Sequence, residues 1–200
     1  DVLSSIRKNL GLINKPEHIR DKKAEGIAEM MVDVRNSFKE PLTKDKLYGW
    51  HKMLMANNNK IDVGKWRTHE APMQVISGAL GKQKIHSEAP PSATIPKEMA
   101  RFISWFNKTA PGGKKEIRKA PLRSAIAPLY FETIHPFEDG NGRISRLIVN
   151  YILFRHDYPM IVVQSKDKKN YLSALSLCDK AVGQIPSEGA HAELNQIKPF

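Results

Sequence analysis

Apolar residues three and four positions apart recur along most of the chain, broken by Pro, Gly and Asn, and this spacing predicts a mainly α protein. Leu3, Ile6 and Leu10 mark a short helix closed by Gly11; Ala24, Ile27, Met31, Val34 and Phe38 mark a second, ended by Pro41. Thr43 is placed to cap a third, carrying Leu47, Trp50 and Leu54, which the Asn57-Asn58-Asn59 turn terminates. From Val63 to Pro91 the pattern shifts to short β-prone pieces, Gln74-Val75-Ile76 and Gln83-Lys84-Ile85-His86, which predict a hairpin. Helices resume at Pro96, with Met99, Phe102, Ile103 and Phe106 on one face. The next, Leu122 to Ile134, is expected to bury Leu122, Ile126, Leu129 and Thr133 and to kink at Pro128. Ile144, Leu147, Ile148, Tyr151 and Ile152 then describe a helix apolar enough to run through the centre of a core, and Tyr171, Leu175 and Cys178 mark a last one between Asp167 and Val182.

A chain of 200 residues, 40% hydrophobic and 26% charged, fits one compact unit. The expected parts are a helical segment 1–41 packing on a core 42–165, followed by a helical segment 166–200. No apolar run approaches the length of a membrane span, and the first residues do not resemble a signal peptide. The lone cysteine, Cys178, has no partner for an internal disulfide, and a cytoplasmic setting is expected. The 32 basic against 21 acidic residues give a net charge of +11. Lys and Arg are scattered from Arg7 to Lys198 without an aromatic platform for bases, so a solvated basic surface is expected rather than a nucleic-acid interface.

The chemistry concentrates between the two most apolar helices, in His135-Pro136-Phe137-Glu138-Asp139-Gly140-Asn141-Gly142-Arg143-Ile144-Ser145-Arg146. Gly140 and Gly142 permit a nest of inward-pointing backbone amides, and the following helix adds its positive end, so the turn should hold a phosphate. Arg143 and Arg146 are three apart, on neighbouring helix positions suited to clamp a polyphosphate. The His135 imidazole is suited to general-base work near neutrality. Asp139 suits a single carboxylate ligand to Mg²⁺ whose other ligands are phosphate oxygens and water, while Phe137 points inward as an anchor. A generic Gly-rich turn with a capping His and surface arginines is the competing structural reading.

These residues resemble the Fic family signature, His-x-Phe-x-Asp-Gly-Asn-Gly-Arg-x-x-Arg, at all eight fixed positions, a match with a chance of about 10⁻⁸ per chain at average residue usage. Similarity extends from about Leu42 through Arg146 and, less clearly, to Tyr171: Gly64-Lys65-Trp66-Arg67 resembles the family's Gly-x-Tyr/Trp-Arg segment, and Lys84-Ile85-His86-Ser87-Glu88-Ala89-Pro90-Pro91 its flap. The resemblance implies a Fic-type helical domain with a β-hairpin flap beside the active-site loop. It implies that His135 deprotonates a Ser, Thr or Tyr hydroxyl of a target protein, that Asp139 holds Mg²⁺, and that Gly140, Asn141, Gly142, Arg143 and Arg146 bind the phosphates of ATP. Phe137 is the buried anchor, and Lys84, Ile85, His86 and Ser87 align the target by strand addition. AMP is then transferred and pyrophosphate leaves.

Many relatives carry an inhibitory helix with Ser/Thr-x-x-x-Glu-Gly/Asn. Asp21-Lys22-Lys23-Ala24-Glu25-Gly26 lacks the Ser/Thr and reads as part of an amphipathic helix, so the expectation places the inhibitory helix in a missing N-terminal part and derepresses this chain. Self-modification and a homo-oligomer fit the same resemblance. A different phosphate-containing donor and removal of AMP are the alternatives on the same fold, although Gly142 stands where the phosphorylating branch tends to have Lys. A basic helical nucleic-acid-binding module, indifferent to loss of His135, is the alternative from another class. Asn170 and Tyr171 are candidate neighbours of adenine or ribose, with a core role for Tyr171 an equal alternative.

Overall fold

The computed structural model describes residues 11, 22–56, 58, 61–70, 73–77, 84–162, 165–167, 169–170 and 173–174. The predicted first helix and most of the predicted last one, with Tyr171, Leu175 and Cys178, lie outside the described residues, and Asn170 is exposed. In chain order come α1 (Lys22–Ser37), α2 (Lys44–Met55), β1 (Gln74–Ser77), β2 (Lys84–Glu88), α3 (Ile95–Lys108), α4 (Ala120–Ile134) and α5 (Asn141–Arg155), with short 3₁₀ turns at Ser92–Thr94 and Ser165–Asp167. The described part is mainly helical, as its periodicity predicts.

Local chemistry sets several boundaries where the sequence places them. The Thr43 side chain accepts the Lys46 amide at 3.1 Å and so satisfies one of the first-turn donors of α2. Pro96 sits in the first turn of α3, where its missing N–H costs nothing. The strands pair antiparallel, Gln74 opposite Glu88 and Ser77 opposite Lys84, with an irregularity between Val75 and Ile76. Because Val75 faces Ser87 and Ile76 faces Ile85, His86 is the extra residue of a bulge.

α5 is the central helix: Ile144, Ile148, Tyr151 and Ile152 have no exposed surface and join Trp50, Phe102, Phe106 and Phe131 in one core. The Tyr151 hydroxyl shares its one proton between the carbonyls of Ser37 at 2.9 Å, the last residue of α1, and Glu40 at 2.6 Å; burial raises its pKa to about 12, so it keeps the proton it donates. α1 crosses α2 closely at Gly26, where a Cβ would lie 2.1 Å from the Met53 carbonyl oxygen. Gly26 thus takes part in helix packing, in line with the amphipathic reading.

One expectation needs correction. In α4 the buried face is not Leu122, Ile126, Leu129 and Thr133: Leu122 and Leu129 are half-buried and Thr133 is exposed, while Arg123, Ala127, Tyr130, Phe131 and Ile134 are buried with Ile126. The helix is flanked by α3 and α5 and is apolar on more than one side, so spacing alone selected a stripe one residue out of phase. One basic residue of this helix lies in the core. Arg123 has no exposed surface; it donates to the Phe106 carbonyl at 2.6 Å and the Thr109 hydroxyl at 3.2 Å, and its guanidinium lies 4.4 Å from the Phe106 ring.

The Asn107 side chain ties α3 to the loop before α2, donating to the Leu42 carbonyl at 2.8 Å and accepting the Leu42 amide at 2.9 Å. Replacing Asn107 with Ala leaves both Leu42 groups unpaired in the interior, and the expected loss is about 1 to 3 kcal/mol, measured as a lower urea midpoint at unchanged m-value.

Candidate active site

The site is the turn between α4 and α5. Its first residue, His135, ends α4 in a left-handed conformation, φ 49° and ψ 60°, uncommon for a residue with a β-carbon. Such strain persists only when neighbours impose it. Arg67, which is 2% exposed, supplies the restraint: its Nε donates to the His135 carbonyl at 2.8 Å, and its backbone amide donates to the Pro136 carbonyl at 2.9 Å. The rest of the guanidinium donates to the Ser92 hydroxyl at 2.8 Å and the Pro90 carbonyl at 2.5 Å, so the same side chain reaches the segment that follows β2.

Phe137 has no exposed surface and stacks on His51, with ring centroids 4.1 Å apart and planes 10° from parallel. Trp66 also packs against it, with ring centroids 4.9 Å apart and planes tilted by 49°. His51 is itself fully buried and bridges two loops: its Nδ1 accepts the Gly64 amide at 2.8 Å, which leaves the proton on Nε2 to donate to the Asp139 carbonyl at 3.2 Å. Burial lowers its pKa and keeps the ring neutral, as that pair of bonds requires.

The glycines and Asn141 divide the work differently from the sequence expectation. Gly140 is left-handed at φ +87°, and a Cβ there would meet Met55 at 2.7 Å and Leu54 at 2.9 Å, so both its backbone angle and its small size are needed. Gly142 lies within α5 with no positive φ; a Cβ there would make ordinary contacts with Glu132 Oε1 at 3.4 Å and Arg146 at 3.6 Å. Asn141 was expected to bind phosphate, but its side chain is 2% exposed and held by the turn itself. It donates to the Phe137 carbonyl at 2.7 Å and accepts the Phe137 amide at 3.0 Å. What Asn141 and Gly142 can offer an anion is their backbone N–H groups, which in the first turn of α5 have no carbonyl of their own helix to bond.

The Asp139 carboxylate accepts the Gly140 amide at 2.6 Å and Arg143 at 3.0 Å, yet its side chain remains 57% exposed. A single accessible carboxylate beside the open first turn of α5 has the chemistry of one ligand to an ion that takes its other ligands from elsewhere. The two arginines do not converge: Arg143 pairs with Asp139, and Arg146, which is exposed, extends alongside Gly142. Lys84, Ile85, His86 and Ser87 lie on β2, whose continuation is fastened to His135 through Arg67.

Burial pushes the His135 imidazole down to about 4; the Arg67 charge lowers it further, while the Glu132 carbonyl and Asp139 oppose the shift. The ring is therefore neutral at pH 7, the state a general base needs. Beside it are the first-turn amides of α5, which have no carbonyl of their own helix to bond, so a proton acceptor and unpaired backbone donors sit on one turn.

The Fic/DOC family model matches residues 41–153. The chain belongs to the Fic/DOC family. It is 27% identical over 156 residues to protein adenylyltransferase fic-1 of Caenorhabditis briggsae, covering 78% of this chain and 25% of that protein. It is 35% identical over 103 residues to protein adenylyltransferase Fic of Culex quinquefasciatus, covering 51% and 17% respectively. This Fic chain thus spans a quarter or less of the length of these curated relatives. A Fic-domain signaling protein from Bacteroides thetaiotaomicron superposes with a TM-score of 0.74 at 28% identity, over 97% of this chain and 70% of that one. The Fic fold expected from the motif is therefore the fold observed.

Sequence reasoning missed three residues of this Fic site: His51, Arg67 as a clamp, and Glu132. His51 falls on the apolar face of α2 and carries no local signal, whereas Arg67 was visible in the Gly64-Lys65-Trp66-Arg67 segment without a task.

An imidazole that titrates at 6.5 unfolded and about 4 folded binds more protons in the unfolded chain between those values. Its contribution to stability is complete above pH 6.5 and is lost as the pH falls toward 4, by up to about 3 kcal/mol at 1.36 kcal/mol per pH unit. Urea unfolding from pH 7 to 4.5 should show that decline, and His135→Asn, which tolerates the left-handed turn, should flatten it.

Proposed function

We propose that this chain is a protein adenylyltransferase, moving AMP from ATP to a Ser, Thr or Tyr hydroxyl of a protein and releasing pyrophosphate. The observation that carries the reading is the buried His135 ring beside the open first turn of α5. One carboxylate, Glu132, lies 3.7 Å from His135 Nδ1 and, with its other oxygen, 3.4 Å from the Cβ position of Gly142. Base and phosphate cradle are therefore within the span of a single side chain. Membership of the Fic/DOC family and the adenylyltransferase names of the relatives support the same chemistry.

In this reading the amides of Asn141 and Gly142, with Arg143 and Arg146, hold the nucleotide phosphates. His135 accepts the proton of the acceptor hydroxyl as its oxygen attacks the α-phosphorus, and positioning and electrostatics supply most of the acceleration. Asp139 would hold Mg²⁺, which when bound would offset phosphate charge. The target, self-modification included, would be aligned along the hairpin at Lys84 to Ser87 by strand addition. A cytoplasmic setting and a homo-oligomer belong to the same proposal.

The test incubates the chain and a cell lysate with Mg²⁺ and ATP labelled at either the α- or the γ-phosphate. α-Label should appear on protein and fall about 10²- to 10⁴-fold in His135→Ala. Transfer of γ-label would replace this reading with phosphorylation, and intact ATP binding without any labelled protein would favour AMP removal.

A further inference from the structure

The proton that His135 takes has to be balanced on the far side of its ring. In the transfer proposed above, on which this inference rests, a bond forms between the acceptor oxygen and the α-phosphorus as the bond to pyrophosphate breaks. The hydroxyl proton passes to Nε2. The ring's existing proton must then be on Nδ1, and the imidazolium brings a positive charge into a buried site.

Nδ1 is shielded from solvent and makes no hydrogen bond of good geometry among the described residues, although the Glu132 backbone carbonyl faces the ring. A buried ring N–H without an acceptor is costly, and a cation there is costlier. The charged groups facing the ring are Arg67, which disfavours the imidazolium, Asp139, which favours it, and Glu132. Glu132 is one turn earlier on α4, which puts it on the same face of that helix, and its Oε2 is 3.7 Å from Nδ1. That separation exceeds a hydrogen bond, but such contacts are often long before substrate binds and shorten in the reacting complex.

We propose that Glu132 is the positioning residue for His135: its carboxylate accepts a hydrogen bond from the Nδ1–H, which keeps the Nε2 lone pair turned to the acceptor hydroxyl, and its charge offsets that of the imidazolium. The Glu132 backbone carbonyl also faces the ring and could orient it alone; the carboxylate adds the negative charge. Its second oxygen borders the space beside Gly142 and Arg146, so Glu132 also lies against the phosphate cradle, where its charge opposes the nucleotide.

Glu132→Gln retains the shape and removes the charge. The expected result is a kcat lower by about 10- to 100-fold, part of what a general base contributes, with no increase in KM for ATP. Glu132→Asp should recover part of the loss. Independently of any transfer, ¹⁵N chemical shifts of the His135 ring should report protonated Nδ1 and bare Nε2 in the unaltered chain at pH 7, and a lower imidazole pKa in Glu132→Gln. A transfer rate, ring tautomer and imidazole pKa that are all unchanged in Glu132→Gln would overturn the proposal and assign orientation to the backbone carbonyl. If the unaltered chain transfers no AMP while the ring pKa still falls in Glu132→Gln, the positioning role stands and the transfer reading fails.

Discussion

The burial of Phe137 is the constraint on which the site depends. A polar turn carrying His, Asp and two Gly has little reason to hold one conformation in water, and ordering it costs about 1 to 2 kcal/mol per residue in backbone entropy. Phe137 supplies a hydrophobic anchor at the middle of that turn, seated against His51 and Trp66. The Asn141 amide then satisfies both backbone groups of Phe137, so the anchor is not undermined by unpaired polar atoms in the core. With position 137 fixed, His135 and Asp139 are each two bonded residues from a rigid point.

The same device recurs. Asn107 satisfies both backbone groups of Leu42, and Asn150 donates to the Ile161 carbonyl and accepts its amide. In each case a helix presents one carboxamide to one loop residue, matching donor to acceptor and acceptor to donor. Helices bond their own backbones internally, whereas loops that pass over them bring unpaired groups to partly buried surfaces. An asparagine on the helix resolves that mismatch without another strand or a bound water.

The helical class, the central position of α5 and the hairpin were legible because period and turn chemistry are local signals: Thr43, Pro96 and the run from Ile144 to Ile152 each state their role within a few residues. The motif was legible because its spacing is specific. The phase of α4 was not, since a helix covered on several sides has no single apolar stripe to detect. Nor could periodicity reveal that Asn141 would be occupied by Phe137, or that Arg67 would cross to His135, 68 positions away. Those pairings depend on tertiary contacts, and single-sequence patterns report only neighbours along the chain.

The Arg67 guanidinium bonds the carbonyl of His135 with one nitrogen and the Ser92 hydroxyl and Pro90 carbonyl with the others. The foot of the hairpin and the strained end of α4 consequently share one rigid planar group with no rotatable bond between its donors. Displacing either end strains bonds made by the same plane, so the segment after β2 and the turn are joined mechanically at Arg67, and any coupling carried by that joint acts equally in both directions.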